Sequence, residues 1–232
     1  MFISPKMLTH AIAAPVLMWC AGAADAGSSY TEAYAGPGSN VMVANRSYGN
    51  ADSRMYASAS NGGIARGQQI AIGHGNGRAK ASMNLQSIGG QSTGDSFVEA
   101  GHGSFATGDT RVGSFYGAAE GYTRSSSNFG GHSAVRTRSY SRFGHTDVTG
   151  CGKAIGNART TVNSFGQSFS PLTYSFAKGT SIGLDGGSAF CESTTRSIGF
   201  GHPAWSQSVG ISRARGWGSR SSVHSTDFSI GY

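Results

Sequence analysis

Charged side chains are scarce in this chain. They make up 12% of 232 residues, about half the share of an ordinary globular domain. Long aliphatic residues are scarce too: there are five leucines, and alanine supplies much of the 38% apolar fraction. A large leucine-rich helical core is therefore excluded. Proline is limited to 5 residues and glycine follows no three-residue period, which excludes a collagen helix. No window keeps the i, i+3, i+4, i+7 apolar spacing of an amphipathic helix, and glycine interrupts nearly every candidate, so helix is expected to be almost absent. Beyond Ala26 no apolar stretch approaches the length of a membrane-spanning helix, so no transmembrane helix is expected there.

Glycine and serine dominate instead, with 37 and 36 residues, and 12 Phe and 9 Tyr are spread along the whole chain. A flexible Gly/Ser linker has no use for that many rings. The side chains alternate in short runs: Tyr30, Glu32 and Tyr34; Val41 and Val43; Phe165, Gln167 and Phe169; Phe228, Ile230 and Tyr232. Period two is the signature of a strand with one buried face. An apolar residue followed by Gly also recurs, from Ile72-Gly73 to Ile230-Gly231, with a mean interval of about 14.4 residues. One such unit cannot bury its own apolar face, whereas stacked units can.

The expected fold is thus all-β: a β-solenoid or β-roll with irregular coils of about 14 residues, clearest over residues 70–231. Fourteen or fifteen coils at about 4.8 Å would make a rod roughly 70 Å long. Five histidines directly follow glycine (His74, His102, His132, His145 and His202), and coils of that period would place them near one column.

The first residues read as an export signal. Lys6 precedes the apolar run Ala11–Trp19, and Ala24 and Ala26 offer small side chains before Gly27. Residues 1–26 are expected to be a secretory signal peptide and 27–232 a single Gly/Ser-rich β domain, secreted to the extracellular space or cell surface. Loss of Cys20 leaves Cys151 and Cys191, one candidate disulfide in an oxidising compartment. That bridge conflicts with a regular rod. Three coils of rise would separate the two by roughly 14 Å, beyond the 7 Å or so a disulfide allows. Either the chain loops out near Pro171, or the C-terminal half is a separate β-sheet portion, or the thiols are free.

Catalytic constellations are poor. There is no Gly-x-Ser-x-Gly elbow, and Gly152-Lys153 runs into Ala154 where a phosphate loop needs Ser or Thr. His145 and Asp147 would share one face of a strand, the arrangement of a local surface contact. The chain is expected not to be an enzyme, and no catalytic, cofactor or metal residue is nominated.

Ile70-Ala-Ile-Gly73 with His74-Gly75, and Ala154-Ile-Gly156-Asn-Ala158, resemble the β-roll coils in the head domains of trimeric autotransporter adhesins. The size, leader and Gly/Ser/aromatic balance resemble secreted curlin-like matrix subunits. Both resemblances imply a β-rich extracellular protein that works by adhesion or assembly, and neither implies an active residue.

The formal net charge is +7. Arg136, Arg138 and Arg142 form the densest patch and are the candidate contact for a polyanion, such as acidic polysaccharide or extracellular DNA. Phe228, Ile230 and Tyr232, a terminal alternating run, are the candidate assembly contact. These features point to a secreted structural protein that forms a homopolymer with copies of itself, as an extracellular fibre or biofilm-type matrix. A discrete cell-surface adhesin, or a module binding glycan or another polyanion, is the alternative.

Overall fold

A computed structural model describes residues 7–9, 12–13, 18–24, 27–170, 173–200 and 204–231. His202, Pro171, Tyr232 and residues 25 and 26 of the predicted cleavage site lie outside the described residues. All described regular structure is β-strand, and no helix is long and apolar enough to cross a membrane.

Two sheets of parallel strands face each other, and from Met18 onward successive strands alternate between them. The first sheet carries β1 (Met7–Thr9), β2 (Ile12–Ala13), β4 (Gly27–Ala35), β6 (Ala51–Ala59), β8 (Arg78–Ile88) and β10 (Phe105–Phe115). It continues with β12 (His132–Arg142), β14 (Arg159–Ser170), β16 (Ser188–Gly199) and β18 (Arg220–Gly231). The second carries β3 (Met18–Ala24), β5 (Val41–Tyr48), β7 (Ala65–Gly73), β9 (Ser92–Gly101) and β11 (Ala119–Asn128). It ends with β13 (His145–Ile155), β15 (Thr173–Leu184) and β17 (Ala204–Arg215). The expected β-solenoid is the fold, with about seven turns.

The unit differs from the expected one. Phe105 pairs with His132, and His132 with Arg159, a step of about 27 residues that lies within the usual span of solenoid repeats. A turn is therefore two strands and two corners, and the apolar-Gly interval of the sequence is half a turn. The body from β4 to β18 rises through seven steps, roughly 34 Å at about 4.8 Å each, half the expected length. The step widens along the chain: Gly27 pairs with Ala51, whereas Ser188 pairs with Arg220. Both sheets run unbroken from β13 to β18, so the C-terminal half is no separate sheet.

Alternation places one row of each strand inside. In β8 the inward row is Ala79, Ala81, Met83, Leu85 and Ser87, and the outward row is Arg78, Lys80, Ser82, Asn84, Gln86 and Ile88. The two sheets lie close, so large inward residues need small ones opposite. A Cβ added to Gly67 would stand 2.9 Å from the Leu85 side chain, and one on Gly94 would stand 2.9 Å from Val112.

The corners need glycine for a different reason. A Cβ on Gly90 would stand 1.9 Å from the Gly63 carbonyl oxygen, one on Gly117 1.8 Å from that of Gly90, and one on Gly144 1.9 Å from that of Gly117. These four glycines occupy the same place in successive turns and stack along one edge of the solenoid. Ser114 and Ser141 hydroxyls donate to the Gly90 and Gly117 carbonyls at 2.9 and 2.8 Å. The hydrogen-bond ladder thus continues around the bend instead of stopping at the strand ends.

Candidate binding face and assembly edge

The outward row of the first sheet holds most of the positive charge. Strands β8 to β18 of that sheet carry nine Lys and Arg against three acids, whereas β7 to β17 of the other carry six against four. Arg136 and Arg138 project from this face on β12, two positions apart. The register sets Arg111 of β10 beside Arg138, and Asp109 beside Arg136. Arg111 pairs with Asp109 at 3.4 Å, an exposed contact of small energetic weight. Arg142 lies at the end of β12, its guanidinium 5.4 Å from the Phe115 ring centre and 5.6 Å from that of Phe143. The three predicted arginines therefore share one face, but Arg142 faces rings and Arg136 faces an acid.

Three clefts meet on this face at Tyr140. One of about 640 Å3 lies against Tyr140, Arg142, Phe143, Gln167 and Phe169. A second, about 410 Å3, includes Arg136, Arg138, Asn163, Phe165 and Glu192. A third, about 400 Å3, includes Asn84, Gln86, Arg111 and Phe115. Gly113 borders the first and third. It sits one step before Tyr140 in the same column, and the nearest atom to a Cβ placed there would be 3.8 Å away. The missing side chain is what opens the notch. Arg111, Gly113, Tyr140 and the flanking amides escape a linear reading. Wrapping the sequence at the length of one turn finds them, because it sets Arg111 on Arg138 and Gly113 on Tyr140.

The candidate disulfide is not formed: both thiols are free. Period two gives the reason. Cys151 is on the outward row of β13 and partly exposed, while Cys191 is on the inward row of β16 and fully buried. Cys191 Sγ lies 2.6 Å from where a Gly179 Cβ would stand, so it abuts the inner surface of the second sheet while Cys151 is on its outer surface. Burial first, and the neighbouring Cys151 second, push the Cys191 thiol up to about 12, which makes it a poor nucleophile.

The histidines do not form one column. His102 sits at a corner after β9 and stacks on Phe129 at 5.3 Å, and His132 opens β12 and stacks on Phe105 at 5.2 Å. His145 opens β13, at a corner on the other edge. A turn of two strands splits a series of half-turns between two edges. Among the described residues no three His, Cys, Asp or Glu side chains group to hold a metal ion.

At the C-terminal end β18 pairs only with β16, and β17 only with β15, among the described residues. Phe228 and Ile230 both lie on the outward row of β18, with Arg196 over the Phe228 ring at 5.4 Å. Phe228 is therefore engaged within its own face. The open feature beside it is the backbone edge of β17 and β18. The inward-row residues Ser225 and Asp227 are exposed there. At the other end β1 and β2 pair with β4, and β3 with β5.

These features define a two-sheet parallel β-solenoid with a cationic, grooved face, whose last described turn is paired on one side only among the described residues. Compared with known protein families, curated proteins and solved structures, the chain matches none.

Proposed function

We propose that this protein is a secreted structural subunit that stacks end to end with copies of itself into an extracellular fibre or matrix. The observation that carries this reading is the terminal turn, whose two 12-residue strands have a partner on one side only among the described residues. Long, flat, unpaired edges template further strands. Cleavage after Ala26 would remove β1 to β3 and free the edges of β4 and β5. Those two strands belong to the same sheets as β18 and β17 respectively. Pairing β18 with β4 of the next subunit, and β17 with its β5, would continue both sheets in parallel. Such a heterologous contact does not close on itself and grows as a filament.

The test compares the chain cut before Gly27 with the uncut chain, by analytical ultracentrifugation and electron microscopy. The cut chain is expected to form filaments with a spacing of about 4.8 Å along the axis, and loss of residues 220–232 should stop their growth. A cut chain that stays monomeric at all concentrations refutes the fibre reading.

A further inference from the structure

We infer that the groove on the outward face of the first sheet binds a linear acidic polysaccharide, with guanidinium groups on its carboxylates and Tyr140 against a sugar ring. Arg111, Arg136 and Arg138 stand within one step and two positions of each other, so their Cα atoms are separated by roughly 5 to 8 Å. Asp109 offsets part of this charge and Glu192 lines the far end of the groove, yet the face remains strongly cationic. Adjacent like charges on neighbouring strands are unfavourable unless an anion sits between them, and a planar guanidinium holds a carboxylate through two bonds.

The shape points to a polymer. The three clefts join at Tyr140 and run across successive strands, from Ser58 of β6 to Thr194 of β16, which is along the solenoid axis. A chain lying in this trough meets the same spacing at each step.

The lining favours sugar over nucleic acid. Asn84, Gln86, Asn163 and Gln167 bring amides that both donate and accept, the partners that sugar hydroxyls require. Several rings at the edge of this face are engaged with one another. Tyr116 lies on Phe143 at 4.6 Å, Phe115 meets both edge-on, and Arg142 stands over Phe115 and Phe143. Tyr140, 41% exposed and tilted against Phe165, is the ring at the junction of the clefts.

This inference stands apart from the fibre reading, because the groove lies on the side of the solenoid and a monomer would bind as well as a filament. The test measures binding of the full chain to four probes: polygalacturonate, the same polymer with its carboxyls reduced, oligodeoxythymidine of matched charge, and phosphatidylglycerol vesicles. Polygalacturonate is expected to bind at least about tenfold more tightly than each of the others. The pair Arg111→Ala and Arg138→Ala should lose about tenfold or more, while Arg66→Ala with Arg213→Ala on the opposite sheet should leave binding unchanged. Gly113→Phe keeps every charge but fills the notch, and it should also abolish binding. Each variant is checked for an unchanged circular dichroism spectrum. Equal or tighter binding of the oligonucleotide or the vesicles overturns the inference. So does unchanged polygalacturonate binding by either the double arginine variant or Gly113→Phe.

Discussion

The early and late turns of the solenoid share one backbone and fill it with different chemistry. In the early turns Val41, Val43, Met55, Met83, Leu85, Val98 and Val112 are buried between the sheets. In the late turns the buried rows carry Ser164, Ser168, Ser175, Ser181, Ser193, Thr195 and Ser197. There Ser168 bonds to Ser175 of the facing sheet at 2.7 Å and to Ser197 on the next strand of its own sheet at 3.3 Å. Yet the parallel ladders run through both regions without a break. The coil is set by backbone pairing and by glycine at the corners. The interior has only to be small enough, and it holds hydroxyls both with partners, as at Ser168, and without, as at Ser164.

The corners should therefore be the feature both regions cannot lose. Gly117→Val and Gly144→Val each drive a Cβ into a carbonyl oxygen, to 1.8 and 1.9 Å, and that atom belongs to backbone that cannot rotate aside. Each is expected to cost more than about 4 kcal/mol, read as loss of the cooperative thermal transition in circular dichroism. Equal damage at the two sites would show that the corners matter independently of the filling. The filling itself should then separate the regions. Leu85→Ala opens a cavity in the apolar part and is expected to cost about 3 kcal/mol. Ser168→Ala removes two hydrogen bonds but almost no volume, and is expected to cost about 1 kcal/mol in urea unfolding. Similar costs at both positions would remove the distinction.

This contrast also explains what was legible in the sequence. The fold class was legible because alternation and regular glycine survive any change of filling. The turn length was not. Apolar-Gly pairs mark both edges of the coil, so their spacing reports half a turn. The once-per-turn series Gly63, Gly90, Gly117 and Gly144 was present but hidden among 37 glycines. Strands also run longer than their apolar alternation, because inward glycines such as Gly150 and Gly179 contribute no visible side chain. Arg136, Arg138 and Arg142 could be found as neighbours on one strand. Arg111 and Gly113 could not, since only the register brings them alongside.

Several hydroxyls buried in the early turns lack a hydrogen-bond partner, among them those of Thr31, Ser53, Ser96 and Thr110. Thr110 is fully buried on β10 and its hydroxyl has no hydrogen-bond partner. Valine has nearly the same shape and removes the unpaired group. Thr110→Val is expected to stabilise the chain by about 1 kcal/mol, seen as a rise in melting temperature. The same exchange at Thr160, whose hydroxyl bonds to Ser133 at 2.7 Å, should destabilise it by a similar amount. Opposite signs for two chemically identical exchanges would place the difference between the two positions in hydrogen-bond pairing and not in burial.

The smallest expected effect concerns two aspartates on the outward row of the second sheet, Asp95 partly buried and Asp147 exposed. Partial desolvation raises the carboxyl of both Asp95 and Asp147 above the usual range. Their neighbours differ. Arg124 partly offsets the rise at Asp95, whereas Glu120, paired beside Asp147 in the register, adds to it despite an opposing contribution from His145. A carboxyl whose folded value lies above its unfolded value binds its proton more tightly when folded. The folded chain is then favoured on the acid side, and that advantage fades as pH rises from the ordinary carboxylate value through the raised one. At neutral pH the ionised Asp147 is a residual cost. Asp147→Asn should raise stability at pH 7 only slightly, by less than about 0.5 kcal/mol at this solvent-screened position, and Asp95→Asn by less. The gain at Asp147 should vanish when unfolding is measured below the ordinary carboxylate range, where the wild-type side chain is already neutral. A gain that persists there, or a larger gain at Asp95, would show that repulsion from Glu120 does not set the difference between the two positions.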